Sequence, residues 1–284
     1  MTITRRAVFT GAFAAAALAG LTACGASSGG GATAGAPGKP LTIVADSVPH
    51  SELLKQVESL KLLGDVKIEV REIAGGVDPN QLVASGDVDA NFFQHVPYLK
   101  DWNAQHSGDL VSAATTHVEP LGLYSKKVKN VADTPESAVI AIPSDATNLG
   151  RALFVLEQAG LIKLNVKPTD ANLDISQVGE ANITENPKKI SFIKIDRPQL
   201  AASLDDALVT LSIVNGNYAL EAGLTPATDA LTLEKAENNP YANIVAVKPG
   251  LKDDPRVKKL AEALTSTQIK EYIEKTYKGS VLPA

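Results

Sequence analysis

From Leu41 onward, short apolar runs alternate with stretches in which apolar residues recur every three or four positions. The runs predict strands at Leu41–Ala45, Val66–Ile73, Val88–Phe93, Ala138–Ile142, Ile190–Ile195, Val209–Val214 and Ile244–Val247. The periodic stretches predict helices at Ser51–Leu63, Asn80–Ser85, Pro97–Gln105, Asn148–Ala159, Pro198–Leu204 and Tyr218–Ala222, with Pro255–Leu264 and Gln268–Tyr277 closing the chain. Such alternation is the pattern of an α/β protein whose mostly parallel sheets are covered by helices. A polar connection near Val128–Asp133 opens a second α/β series that ends about Leu224. Asn243–Val247 and the last helices have no strand series of their own, so they are expected to return to the first. Two chain crossings then join lobe I (41–126 plus 227–284) to lobe II (127–226), with a ligand cleft between them.

The pattern is different before Leu41. Arg5-Arg6, an apolar stretch from Ala12 to Ala19 and Leu21-Thr22-Ala23-Cys24 have the layout of a signal peptide, expected at 1–23. The apolar stretch is too short to span a bilayer. Leu-Thr-Ala-Cys resembles a bacterial lipobox, which would leave Cys24 as an acylated first residue carrying palmitate-type lipid. Cys24 is the only cysteine, so no internal disulfide competes for it. Phe9 stands one place later than in the usual twin-arginine pattern, so the general secretory and twin-arginine routes both stay open. Residues 24–40 contain no large apolar side chain and read as a flexible tether reaching roughly 20–25 Å. More than one acyl chain makes such anchoring stable. The expected location is the extracytoplasmic face of the cell membrane.

Charge and motifs narrow the function further. A net charge of −5 argues against nucleic acid or an anionic surface as partner. There is no Gly-x-Ser-x-Gly, Walker loop, His-Glu-x-x-His or Gly-x-Gly-x-x-Gly, and catalysis has no sequence support. His50, His95, His106 and His117 have no cysteine companions and no close ligand spacing, so neither a metal site nor a cofactor is expected.

Three segments carry candidate chemistry. Six tyrosines, six phenylalanines and one tryptophan are all the aromatic residues present, and four of these fall within Asn91–Trp102. There Phe93, His95 and Tyr98 sit where a strand passes into a helix at Pro97, a common position for ligand sites. Taken singly, each ring could equally fill a core. In Ile142–Arg151 a buried strand runs into a polar turn and a helix capped by Thr147 or Asp145. Asn148 and Arg151 share a face of its first turn, where free N–H groups, the positive helix end and a guanidinium favour a carboxylate; a solvated surface arginine is the alternative. A third strand ends at Val214-Asn215-Gly216-Asn217, where Asn215 can offer its carbonyl to an ammonium group or simply form the turn. His117 and Glu119 lie near the first crossing.

Several segments together resemble the NlpA lipoprotein family, the methionine-binding components of ABC importers. They are Asp89–Tyr98, His117–Ser125, Ala141–Asp145 with Asn148–Leu153, Ser203–Asp206, Asn215–Leu224, Lys252–Asp254 and Tyr277–Gly279. The resemblance implies a two-lobed periplasmic-binding-protein fold, type II-like, that captures L-methionine or a related amino acid and delivers it to an ABC permease in the membrane. Carried over by position, Arg151 would pair with the ligand carboxylate, Asn148 would support it and Asn215 would help hold the amino group. Phe93, His95 and Tyr98 would wall the side-chain pocket, with His117 and Glu119 close by. In one place the chain departs from the pattern: Gly75-Gly76 stands before Val77-Asp78-Pro79-Asn80 where the family often has Asp-Tyr. Losing an aromatic wall at Gly76 either widens the pocket or leaves it to be refilled from elsewhere, and a tyrosine there should restore discrimination unless the backbone needs a positive φ. The competing readings are a surface adhesin or scaffold lipoprotein, which needs an apolar partner patch, and a hydrolase using His117 and Glu119 as acid and base.

Overall fold

A computed structural model describes residues 38–73, 76–170, 172–236 and 239–284. The signal peptide, Cys24 and the tether as far as residue 37 lie outside the described residues. In chain order the strands are β1 (Leu41–Ala45), β2 (Ile68–Glu72), β3 (Ala90–His95), β4 (Val111–Val118), β5 (Gly122–Tyr124), β6 (Val139–Pro143), β7 (Lys163–Leu164), β8 (Ile183–Glu185), β9 (Ser191–Ile195), β10 (Leu211–Val214), β11 (Thr232–Leu233), β12 (Asn243–Val247) and β13 (Leu282–Pro283). The helices are α1 (Glu52–Ser59), α2 (Pro79–Ser85), α3 (Val96–His106), α4 (Ala146–Gln158), α5 (Gly216–Glu221), α6 (Pro226–Asp229), α7 (Pro255–Leu264) and α8 (Thr267–Tyr277).

The larger strands form two sheets, ordered β13-β4-β12-β3-β1-β2 and β11-β5-β10-β6-β9. In the first, the period of two sorts side chains onto separate faces. Leu41, Ile43, Ala45, Val245 and Val247 meet Leu53, Leu54 and Val57 of α1, Leu260 of α7 and Ile273 of α8. Val44, Ile244 and Ala246 meet Val83 of α2 and Leu99 and Trp102 of α3 on the other face. The second sheet repeats the plan: Ile140, Ile142, Leu211 and Ile213 pack on Leu149, Leu153 and Leu156 of α4, while Ala141 and Val214 face Leu200, Leu204 and Ala219. The central strands β1, β3, β6, β10 and β12 are therefore buried on both faces, which is why most of them read as near-continuous apolar runs, whereas the edge strands β2 and β9 are partly exposed.

Three expectations change. The sheets are mixed, not mostly parallel. β1 pairs in parallel with β2 and β3, and β6 with β9 and β10, but β12 runs antiparallel to β3 and β4, and β5 antiparallel to β10. Parallel pairs arise where a helix returns the chain to the same edge, whereas β12 enters from the other sheet and runs the opposite way. β4 is an eight-residue strand with no counterpart in the hydrophobic pattern, because Ser112, Thr115 and Thr116 interrupt its apolar run. Pro198–Leu204 is not an α-helix but two 3₁₀ turns, Arg197–Gln199 and Ala202–Asp205. In addition, β5 and β11 belong to the second sheet, so lobe limits at 126 and 227 would leave one short strand of that sheet on the first lobe's side of each crossing. No helix among the described residues is long and apolar enough to cross a membrane.

Candidate functional site

Three strand ends meet where the chain passes between the sheets. β3 ends at His95, whose Nδ1 caps α3 by accepting the Tyr98 N–H at 3.1 Å. β6 leads to Asp145, which caps α4 by accepting the Asn148 N–H at 3.0 Å; of the two predicted caps, Asp145 is the one used. β10 ends at Val214, and Asn215 follows it as the N-cap position of α5.

Side chains from these ends line an inner cavity of about 20 Å³. That is space for a water-sized group. Because His95 Nδ1 is an acceptor, its Nε2 carries the proton and points to Asn148 Oδ1 at 3.4 Å. Burial, then the Arg151 charge, lowers the His95 pKa to about 3, so the ring is neutral. Asn148 Nδ2 donates to Asp145 Oδ1 at 2.9 Å, and Asn215 Nδ2 donates to Asn148 Oδ1 at 3.1 Å. This chain fixes the orientation of Asn215. Its Oδ1 is buried and has no hydrogen-bond partner among the described residues. Native interiors seldom leave such an acceptor unused, since its desolvation costs about 1–3 kcal/mol.

Arg151 is buried at the same cavity, and its charge is already matched. Nε donates to Glu234 Oε1 at 2.7 Å, and Nη2 donates to Glu234 Oε2 and, at 2.7 Å, to the Glu119 carbonyl. The guanidinium stacks 4.5 Å from the Tyr241 ring centre. Glu234 thus holds the bidentate edge, and Nη1 is the donor left for anything else.

Phe93 and Tyr98, edge to face at 5.7 Å, and Arg197 line both this cavity and an outer one of about 510 Å³. Gly76 is on the outer wall. Its φ of +81° is a left-handed value, and a Cβ built there would meet nothing within 4 Å. The wall is open at this point, and a tyrosine could be placed there only at a backbone cost. Asp46, at the end of β1, lines the outer cavity and accepts from Asn217 Nδ2 at 3.0 Å; burial raises its pKa to about 7.

His117 lines neither cavity. Thr116 Oγ1 donates to the Asn243 carbonyl at 3.0 Å, so it accepts from His117 Nδ1 at 2.9 Å. His117 Nε2 faces Glu119 Oε1 at 2.7 Å, which requires one proton between them. Burial raises the Glu119 pKa and lowers that of His117 to about 3, and both shifts put the proton on Glu119. His50 Nε2 lies 3.2 Å from the same oxygen. The donor atoms of His50, His117 and Glu119 lie within 4.8 Å of one another, a grouping of metal-ligand types that sequence spacing hid. Here they bond to each other and to Asn243 Oδ1, 3.1 Å from His50 Nε2.

The profile of the NlpA lipoprotein family matches residues 41–284. The chain belongs to the NlpA lipoprotein family. It is 38% identical over 266 residues to the methionine-binding lipoprotein MetQ of Bacillus subtilis, covering 93% of each chain. Among solved structures it resembles a nutrient-binding protein from Burkholderia cenocepacia bound to methionine, with 39% identity, a TM-score of 0.78, and 86% of this chain and 99% of that one covered. It also resembles the periplasmic substrate-binding protein of an ABC transporter from Coxiella burnetii, with 37% identity, a TM-score of 0.77, and coverage of 86% and 100%. The two-sheet architecture is the two-lobed binding-protein fold of these relatives.

Of the sequence-predicted residues, Phe93, His95, Tyr98, Glu119, Asn148, Arg151 and Asn215 line the inner cavity, and His117 stands behind Glu119. Sequence reasoning passed over Arg197, Asn217, Asn243, Asp46 and Glu234. Asp46 follows directly on β1 and Arg197 stands two residues past β9, each just beyond a strand end as Asn215 is beyond β10. Nothing local marks Glu234.

Proposed function

We propose that this chain is the substrate-binding lipoprotein of an ABC importer and that it captures methionine or a close relative between its lobes. The observation that carries this is Asn215 Oδ1, a buried acceptor without a partner among the described residues, on a residue that lines the same small cavity as Arg151. An acceptor for an ammonium group and a cationic donor for a carboxylate, held by separate elements of the second sheet, match the head of a free α-amino acid. The inner cavity as it stands has room for a water-sized group, so seating the head requires the cleft to open, and the side chain would then extend past Phe93 and Tyr98 into the outer cavity. Thioether sulfur packs well against such rings. Lobe I and lobe II would meet around the ligand, as Asp46–Asn217 and His95–Asn148 already join the two sheets.

Cys24 would hold the protein at the extracytoplasmic face of the membrane through its acyl chains, next to the permease. The acid-base reading has no substrate-facing pair, since Glu119 and His117 are bonded to each other. Calorimetry on refolded, ligand-free protein is the test: L-methionine should bind at one site per chain, and no heat with any amino acid would remove the reading. Changing Cys24 to Ala should move the protein from the membrane to the soluble fraction. Continued membrane retention would refute the anchor.

A further inference from the structure

The atoms of His50, His117 and Glu119 that meet behind the inner cavity are joined by a fourth, Asn243 Oδ1. His50 lies in the turn after β1, His117 is on β4, Glu119 follows that strand, and Asn243 opens β12 directly opposite His117 in the antiparallel register. All four residues are buried. Glu119 Oε1 lies 2.7 Å from His117 Nε2 and 3.2 Å from His50 Nε2, and Asn243 Oδ1 lies 3.1 Å from His50 Nε2. Donors on arms of about 2.1 Å stand about 3.4 Å apart in a tetrahedron, so shifts of a few tenths of an ångström in each atom would seat a zinc ion.

Protons alone do not satisfy this group. His117 Nδ1 donates to Thr116 Oγ1, so its Nε2 is a lone pair, joined to Glu119 only by the proton they share. His50 Nε2 faces two oxygens, so it carries the ring proton and leaves Nδ1 bare. That Nδ1 is buried and makes no hydrogen bond among the described residues, a costly state for an acceptor. A metal on Nε2 would put the ring proton on Nδ1 instead, and the Val48 backbone favours a proton on this ring. The outer bonds that orient metal ligands are already made: His117 Nδ1 to Thr116 Oγ1 at 2.9 Å, and the Asn217 N–H to Glu119 Oε2 at 3.1 Å. Arg151, which donates to the Glu119 carbonyl, is neutralised by Glu234, so a cation here meets no unpaired positive charge. Glu119 and Asn243 also line the inner cavity, which gives an ion a path from the cleft. Two imidazoles and two oxygens in a closed tetrahedral set suit zinc.

We propose that His50, His117, Glu119 and Asn243 form a structural zinc site that ties the first crossing to β12 and to the turn after β1, the proton shared by His117 and Glu119 passing to solvent as the metal binds. Cobalt, which takes the same ligands and is coloured, is the probe, in the Cys24→Ala protein so that no thiol can bind it. After refolding in chelator and its removal, Co²⁺ should bind at one site per chain with the visible absorption of tetrahedral coordination, and Zn²⁺ should displace it. X-ray absorption of the zinc form should show two imidazoles in a nitrogen and oxygen shell at about 2.0–2.2 Å. Losing even an outer partner weakens a metal site about tenfold to a hundredfold, so His50→Gln and His117→Gln should each weaken binding by at least about tenfold. His106→Gln, at the exposed end of α3, should leave it unchanged. If a glutamine variant does not fold, the imidazole count in the protein with its histidines intact decides. The site is overturned by the absence of stoichiometric binding, by an octahedral cobalt spectrum, by fewer than two imidazoles, or by equal affinity in the His50 and His117 variants and their parent, which would mark an ion held adventitiously at the surface.

Discussion

Arg151 and Arg197 line the same inner cavity, but they are compensated in different ways. Arg151 is 3% exposed, pairs with Glu234 along its bidentate edge and donates to a backbone carbonyl. Arg197 has one long contact to Asp145 and an aromatic face beneath it. A buried charge that is paired along its bidentate edge is structural before it is anything else, because removing one member leaves the other stranded. A charge with donors to spare contributes less to the fold and more to recognition. Even within one site, then, the more buried arginine need not be the one that discriminates between ligands.

The largest effect that sharpens this contrast is on stability. Arg151→Ala leaves Glu234 without its partner and should cost about 3–5 kcal/mol, a fall in Tm of roughly 10 °C for a chain of this size. The matched pair Arg151→Met with Glu234→Leu should recover most of that loss while still failing to bind amino acid. If Arg151→Ala melts within a degree or two of the wild type, the ion pair is not structural and the comparison collapses.

Asn215→Ala comes next. It removes the orphan acceptor without stranding a charge, so Tm should hold while amino-acid affinity falls roughly tenfold to a hundredfold. Calorimetry and a melt on the same sample separate the two quantities.

Acid tests the buried titrating groups on both sides of the cleft. Folded-state pKa values near 4 for His50 and near 3 for His95 and His117 mean that these rings stay neutral in the fold at a pH where the unfolded chain protonates them. Unfolding takes up those protons, so stability is lost as pH falls below about 6.5. Asp46, with a folded pKa near 7, works the other way: it keeps its proton in the fold between about pH 4 and 7, where the unfolded chain has released it. Three such rings outweigh it, and the raised Glu119 opposes them too. The net expectation is a Tm that falls on acidification from pH 7 to 4, and falls more steeply in Asp46→Asn, which removes an opposing group. A shallower slope in that variant would contradict the burial of Asp46.

The smallest effect concerns the open wall. Gly76→Ala meets no atom, so its cost should be only the left-handed backbone, about 1–2 kcal/mol. Gly76→Tyr carries the same penalty whatever its ring does to the pocket.

Much of the fold was legible because the central strands of each sheet are buried on both faces, so β1, β6, β10 and β12 announce themselves as apolar runs. β4 did not, since its threonines serve hydrogen bonds such as Thr116 to the Asn243 carbonyl that only the folded sheet creates. The strand-end rule pointed to His95, Asn148, Arg151 and Asn215, and these line one cavity. It could not show that Glu234, 83 residues from Arg151, would occupy the bidentate edge, because that pairing is made by a crossing of the chain. The approach of His50 to Glu119 is hidden from spacing for the same reason.

The head site in the inner cavity is tested most directly by a crystal structure of the refolded protein with L-methionine. It should place the ammonium group within hydrogen-bond distance of Asn215 Oδ1, the carboxylate on Arg151 Nη1, and the thioether between Phe93 and Tyr98 toward Arg197. A ligand bound the other way round, with its carboxylate on Arg197 and its side chain in the inner cavity, or bound outside the cleft, would contradict it.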